Sequence, residues 1–503
     1  MAAGELDLLV LGDIHYVGQA HHAISSPKMR GELGLELLKR ALRREEVAAQ
    51  ADAIVLTGDL VEEGNAEGAE ADLRALGDLL AQSGPPVIAV PGNHDRDAGR
   101  FVRLFSTGWP QRAVGAHELN GYVLYTFADS YDPDERACRD MADLDALRRY
   151  AASHPARPII ALQHGVVYPP IDDDYPYVLQ NEVEVMRAYD ETGVVLSISG
   201  HYHRGQALSS RHCGVDYVTC PALCEAPFRF LRVKIRGREV TVTEESLISQ
   251  ATAPLCDVHV HSEFAYCGHG ITAKDAIDRA RLFGLSRMCL TEHSDQLYLT
   301  DEDFHANKIK KDPDFPRKMR EAGRDRYAAY RAFAAPMRSD FVRVGLEIEL
   351  DSRFEPILLE EDREGWDILV GGVHWMTDDM VERSGGTIEK CFMKMNESLL
   401  RFGVDVLAHP FRYFGRRHLP TPKDIYRPLA QMLKEYDTAA EINFHTNRPD
   451  PDFFAICMQE GVKIALGSDS HETYEVGELG LHLDVLRKAG ATDADLPRVL
   501  FQL

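Results

Sequence analysis

A short run of β-forming apolar residues that ends in glycine and then in aspartate, asparagine or histidine recurs along this chain, and no other feature limits its fold as tightly. Up to about residue 205 the runs are "LDLLVLGDIH", "DAIVLTGD", "PVIAVPGNHD", "RPIIALQHG" and "VVLSISGHYH". Runs of this length and composition read as buried strands, and the segments between them, such as "GLELLKRALRREEVAAQ", have helical periodicity. The polar clusters therefore fall at the C-terminal ends of strands, the edge at which open α/β sheets build their sites.

The residues gathered there are Asp13, His15, Asp59, Asn93, His94, His164, His201 and His203. A carboxylate can bridge two cations with its two oxygens, imidazoles and an amide oxygen can complete each shell, and a close pair of ions can clamp an in-line phosphoryl displacement. On this reading Asp13, His15 and His203 serve one metal, Asn93, His164 and His201 the other, and Asp59 is shared. Any one of these histidines alone would suit a core or loop position; their order and strand-end placement argue for a set. His21 and His22, in "GQAHHAISSP", read instead as residues of a turn-rich loop.

In order, these blocks resemble the D-x-H, G-D, G-N-H-D, H and G-H-x-H pattern of the calcineurin-like metallophosphoesterases, over about residues 5 to 245. The resemblance implies a four-layer αββα sandwich, and the G-N-H-D form is most similar to cyclic-nucleotide (class III phosphodiesterase-like) and glycerophosphodiester hydrolases. It makes Asp59 and His94 catalytic, His94 giving a proton to the leaving oxygen, with Asp95 orienting His94. After His203 the text changes to "VDYVTCPAL", "FRFLRVKI" and "REVTVTEES", expected to be consecutive antiparallel strands that complete the second sheet. "LISQATAPL" then reads as a linker, which divides the chain into domains at 1–249 and 255–503.

From Cys256 a strand-and-helix alternation restarts, with strand candidates "LCDVHVH", "RMCLTEHSD", "FVRVGLEIEL", "WDILVGGVHWM", "VDVLAHPF", "AAEINFH" and "VKIALGSDSH". Seven such units suggest a parallel β/α barrel whose chemistry sits at the C-terminal mouth. The order of polar residues resembles the PHP (polymerase and histidinol phosphatase) family over about residues 256 to 480, closest to its histidinol-phosphatase branch. The resemblance implies a distorted (β/α)7 barrel with up to three metals. Its ligands would be His259, His261, His269, His293, Glu347, His374, His409, Asp469 and His471, with Glu347 and Asp469 as the bridging, catalytic carboxylates. His269 stands two residues beyond the six-residue spacing common after H-x-H, and Cys267 reads as a loop cysteine. His445 stands where small residues are usual. Of the arginines that follow strand ends (Arg353, Arg412, Arg416, Arg417 and Arg448), Arg412 and Arg448 are taken as candidates for a bidentate hold on a substrate phosphate.

With these assignments twelve of the 21 histidines stand at strand ends. Mixed imidazole and carboxylate shells suit Mn, Fe or Zn, two ions in the first domain and two or three in the second. The net charge of −24 weakens the case for long nucleic acids, so the expected partner is a small phosphorylated substrate. No apolar run reaches 18 residues, the N-terminus lacks a basic segment, and the nine cysteines contain no C-x-x-C pair. A cytoplasmic protein with reduced thiols and no membrane partner is expected. The function implied is a bifunctional hydrolase of small phosphate esters: a diesterase first, a monoesterase or cyclic-phosphate hydrolase second, acting in sequence on one molecule. The alternatives are a nuclease that processes nucleic-acid ends, or one catalytic domain with the other as a metal-bound scaffold.

Overall fold

In a computed structural model that describes residues 4–18, 24–48, 51–96 and 114–503, the chain divides into two compact units, Met1–Leu247 and Ile248–Leu503. His21 and His22 lie outside the described residues.

The first unit is built on two sheets. One runs, in spatial order, Glu239–Ser246, Arg229–Arg236, Glu5–Leu11, Ala53–Leu56 and Val87–Ala89. The other runs Gln206–His212, Val215–Thr219, Val194–Ser199, Ile159–Leu162, Tyr122–Thr126 and Gly115–Leu119. Leu6, Leu8 and Val10 on the first sheet and Leu124, Ile160 and Ile198 on the second belong to one buried apolar cluster between the sheets. Helices Met141–Ser153 and Glu182–Thr192 cover the outer face of the second sheet with Leu144, Leu147, Val185 and Ala188. Helices Gly34–Ala48 and Ala69–Ala81 connect the parallel strands of the first sheet and bury Leu37, Leu38, Leu73, Leu76 and Leu80. The result is the expected αββα sandwich.

One part of the strand reading needs correction. Arg229–Arg236 and Glu239–Ser246 do form an antiparallel hairpin, but it pairs with Glu5–Leu11 in the first sheet, whereas Val215–Thr219 runs parallel to Val194–Ser199 in the second. An alternating hairpin shows its pairing in the sequence; the sheet that receives it is decided by which edge its apolar face can cover.

The second unit is a seven-stranded parallel sheet in chain order: Cys256–Val260, Arg287–His293, Val342–Ile348, Ile368–Gly371, Val406–Leu407, Ala439–Ile442 and Ile464–Leu466. All seven strand candidates are present. The first and last meet through the bridge Val260–Ser470, where Asp469 N–H donates to His259 O at 2.7 Å and His261 N–H to Ser470 O at 3.3 Å. This seam closes a distorted (β/α)7 barrel. Among the described residues no helix is long and apolar enough to cross a membrane.

Two candidate metal centres

In the sandwich the sequence-derived residues converge where strands of both sheets end. Asp13, His15 and His203 form one group of potential ligands, and Asp59, His164 and His201 another. His164 Nε2 lies 3.1 Å from Asp59 Oδ2, 3.1 Å from Asn93 Oδ1 and 3.1 Å from His201 Nδ1. Asp59 Oδ2 is also 3.7 Å from His15 Nε2, so this carboxylate stands between the two groups. The backbone is shaped to this purpose. A Cβ at Gly92 would lie 2.1 Å from Asp59 Oδ1, so only glycine lets the G-N-H-D turn approach this closely.

The imidazoles are oriented by carboxylates that the sequence reading did not pick out. Glu62 Oε2 lies 2.7 Å from His15 Nδ1, and Glu225 Oε1 is 2.8 Å from His203 Nδ1. His94 Nδ1 is 2.6 Å from the Glu62 carbonyl, which fixes the N–H on that nitrogen. Asp95 does not orient His94 as expected: its carboxylate accepts the backbone N–H groups of Leu60, Val61 and Gly92 and braces the two ligand-bearing loops. The surrounding cleft, about 410 Å³, is lined by Tyr175, Tyr177 and Tyr202 on one wall and by Lys28, Arg204, Asp173 and Glu225 among its charges.

In the barrel, Glu347 lies at the centre. Its carboxylate is 2.7 Å from His293 Nδ1, 3.0 Å from His409 Nε2, 3.2 Å from His374 Nε2 and 3.4 Å from His259 Nε2. Asp469 Oδ1 is 2.9 Å from His261 Nε2 and 3.5 Å from His259 Nε2, and His259, His261, Glu347 and Asp469 form one group of potential ligands. Three further carboxylates hold the rings: Glu441 at His259 Nδ1 (2.9 Å), Glu349 at His374 Nδ1 (2.7 Å) and Glu292 near His261 Nδ1 (3.3 Å). A Cβ at Gly467 would lie 1.9 Å from Glu441 Oε1.

Two sequence assignments fail here. His269 is exposed at the rim of the cleft, with its backbone N–H donating to His471 O, and the loop has by then turned outward. Cys267, six residues after His261, occupies the inner position instead, with Sγ 3.1 Å from His471 Nε2 and 3.3 Å from His293 Nε2. Arg448 is exposed and does not line the cleft, because the loop after Ala439–Ile442 carries it past the mouth. Arg412 is buried at the centre and ion-paired with Asp469. Of the other arginines, Arg416 and Arg417 line the cleft of about 550 Å³ with Lys310, whereas Arg353 is paired with Asp351 and Asp314. His445 stacks on His471 with ring centroids 4.2 Å apart.

Both donor sets fit divalent cations. Buried His15 Nε2 and His201 Nε2 have no hydrogen-bond partner, an arrangement that a fold tolerates where the atoms have another use, and in the barrel four imidazoles crowd one buried carboxylate. Asp13, His15, Asp59, His201, His409 and Asp469 all have φ between 32° and 69°, and backbone strain of this kind, of order 1–3 kcal/mol per residue, is kept at functional sites.

Protons compete for the same nitrogens. Burial opposes charge on His164, but Asp59 and Asp13 push its pKa up to about 10. Burial likewise opposes charge on His374, and Glu349 and Glu347 push it up to about 9. Both rings hold a proton at pH 7 that a cation must displace. Metal uptake by the stripped protein should therefore release protons and weaken as pH falls, which calorimetry in buffers of different ionisation enthalpy measures. Because these folded-state pKa values lie above the usual 6.5, their stabilisation of the metal-free fold is complete below about pH 6.5 and is lost as pH rises through 9 to 10.

Two sheet edges with converging imidazoles and central carboxylates define a metal-dependent phosphoester hydrolase in each half. Residues 6–205 match the family model of the calcineurin-like phosphoesterases and residues 257–445 that of the PHP domain, so the chain belongs to the calcineurin-like phosphoesterases in its first half and to the PHP family in its second. A Deinococcus radiodurans protein named "Probable histidinol-phosphatase" is 27% identical over 250 residues, which is 44% of this chain and 88% of that protein. Among solved structures, a dimetal phosphatase from Danio rerio is 14% identical, with 48% of this chain and 98% of that one covered and a TM-score of 0.37. A candidate histidinol phosphatase from Listeria monocytogenes is 15% identical, with 45% and 99% covered and a TM-score of 0.34.

Proposed function

We propose that the sandwich hydrolyses a small phosphodiester and the barrel a phosphomonoester or cyclic phosphate. The observation that carries this reading is that each domain holds its own central carboxylate, Asp59 or Glu347, with imidazoles on more than one side. Divalent cations of the Mn, Fe or Zn type would be held by Asp13, His15, Asp59, Asn93, His164, His201 and His203 in the sandwich. In the barrel they would be held by His259, His261, His293, Glu347, His374, His409, Asp469 and His471. When bound they would lower the pKa of water and neutralise developing charge on phosphoryl oxygens. Elemental analysis of the intact protein should give four or five transition-metal ions per chain; a count of two would leave one domain as a scaffold.

The residues of the chain do the rest. His94, its Nδ1–H engaged by the Glu62 carbonyl, lines the first cleft and is placed to protonate the leaving oxygen. Burial opposes its charge, but Asp59 and Glu62 raise its pKa, which favours the protonated form that an acid needs. His94→Ala should slow cleavage of an alkyl diester about 10²–10⁴-fold, and much less for a p-nitrophenyl ester, whose leaving group needs no proton. Equal losses on both would remove His94 from the acid role.

The linings differ in a way that favours successive steps. The barrel cleft has Lys310, Arg412, Arg416 and Arg417 against Glu349, whereas the sandwich cleft balances Lys28 and Arg204 with Asp173 and Glu225 beside the candidate metal ligands. A monoester carries more charge than a diester, and the more cationic cleft suits it. The net charge of −24 counts against long nucleic acids.

A further inference from the structure

A small antiparallel hairpin, in which Ser130–Tyr131 pairs with Ala137–Cys138, stands beside the sandwich centre. Its turn is closely determined. Asp132 Oδ1 accepts the backbone N–H groups of Asp134 and Arg136, and Glu135 N–H donates to Asp132 O at 3.0 Å with Glu135 at φ 61°. A residue other than glycine stays in that left-handed region where its surroundings hold it there. The hairpin presents two side chains to the candidate ligands. Tyr131 sets its ring across those of His164 and His201, with centroids 6.5 and 6.3 Å away. Glu135 Oε2 accepts a hydrogen bond from Asn93 Nδ2 at 3.0 Å. An amide has two unlike ends and a carboxylate can only accept, so Asn93 must turn its NH2 group to Glu135 and its oxygen the other way. That oxygen lies 3.1 Å from His164 Nε2, beside the group formed by Asp59, His164 and His201. The other oxygen of Glu135 is held by Arg96 Nη1 at 3.3 Å, and the same guanidinium reaches Glu63 through Nε and Nη2.

We propose that Glu135 is a positioning residue of the sandwich: it selects which end of the Asn93 amide faces the cation position shared with His164 and His201, and Arg96 keeps it in place. An amide ligates a cation through its oxygen, whereas its NH2 group can only donate hydrogen bonds. The side chain of Glu135 is 34% exposed, so water would enter where it was truncated. Water donates as readily as it accepts and would not distinguish the two ends of the amide. Asn93 would then divide its time between a ligating and a non-ligating orientation, and an ion would bind only the first. Partners that orient a ligand from behind are worth about 10–100-fold in metal affinity. The same hairpin thus braces Asn93 with a hydrogen bond and His164 and His201 with a ring, which places three candidate ligands of one position under the control of nine residues of chain.

This inference rests on the sandwich being a metal-dependent hydrolase, and the test separates the two. The full-length protein is stripped with a chelator and dialysed against limiting manganese(II); ions bound per chain are counted, and diester hydrolysis is followed as manganese is raised. Glu135→Ala should hold one ion fewer at limiting metal and need about 10–100-fold more manganese for half-maximal diesterase activity, then approach the wild-type rate at saturation. Activation of the barrel's monoesterase should not move. Glu135→Gln, which still offers an oxygen to Asn93 Nδ2, should keep the ion. In Asn93→Asp both ends of the side chain are oxygens, so adding Glu135→Ala there should no longer weaken binding. An unchanged ion count and activation curve in Glu135→Ala overturns the proposal, and so does an equal weakening in the Asn93→Asp background, which would mark Glu135 as acting on the fold. A wild type whose ion count is the same as that of Asp59→Asn, with no manganese-dependent diesterase activity, overturns the hydrolase reading of the sandwich and this inference with it.

Discussion

Replacing Asp59 by asparagine should abolish diester hydrolysis while the barrel keeps its full activity on a monoester. The loss should be about 10³-fold or more, the upper range for removing one preorganised charge-stabilising group, because Asp59 stands between both ligand groups of the sandwich and its removal weakens both at once. Glu347→Gln should do the converse, since its carboxylate lies within 3.4 Å of four imidazoles. Paired assays on the full-length variants, with circular dichroism to show that each is folded, give the answer. Loss of both activities from either substitution would mean one composite site.

The second large effect concerns order. A diester that the wild type carries through to free phosphate should stop at the monoester in Asp469→Asn or His471→Ala, with monoester accumulating in proportion to diester consumed and no phosphate appearing. Asp469 is buried between His259, His261 and Arg412, so its neutralisation removes charge from the centre of the barrel without touching the sandwich. If the two domains act in turn, tethering them in one chain would raise the local concentration of the intermediate over that of two separate enzymes. Phosphate release that continues unchanged, or a monoester that the intact barrel ignores, would separate the two reactions.

The convergent residues of the sandwich were legible because the strand grammar places them. A buried run followed by G-D or G-H-x-H puts polar side chains at one sheet edge whatever the loops do, and the seven barrel strands followed by the same rule. The carboxylates that hold the imidazoles were not legible. Glu62, Glu225, Glu349 and Glu441 reach their partners across 22 to 182 residues of chain in loops or strand ends of no distinctive spacing, and nothing marks them from the other acids in a chain with 80 of them. Glu349 could have been found as the second residue after Glu347, on the same face of its strand. Cys267 and His269 were exchanged because residue type was weighed above spacing. The six-residue step from His261 already pointed to the cysteine, but a histidine two places on is the more familiar ligand. Arg448 failed for the opposite reason, since a residue beyond the end of a strand is placed by the loop's path.

The seam of the barrel has a consequence for how an active molecule comes into being. His261 and Asp469 touch across the junction of first and last strands although 208 residues separate them. Closing a loop of that length costs entropy that grows as the logarithm of its size, and pairings of such high contact order form late. The part of the centre that contains Asp469 and His471 therefore depends on the final strand docking on the first. A barrel whose last strand has not docked would keep Glu347 with His259, His293, His374 and His409 but lack Asp469 and His471, so its ligand set would be incomplete.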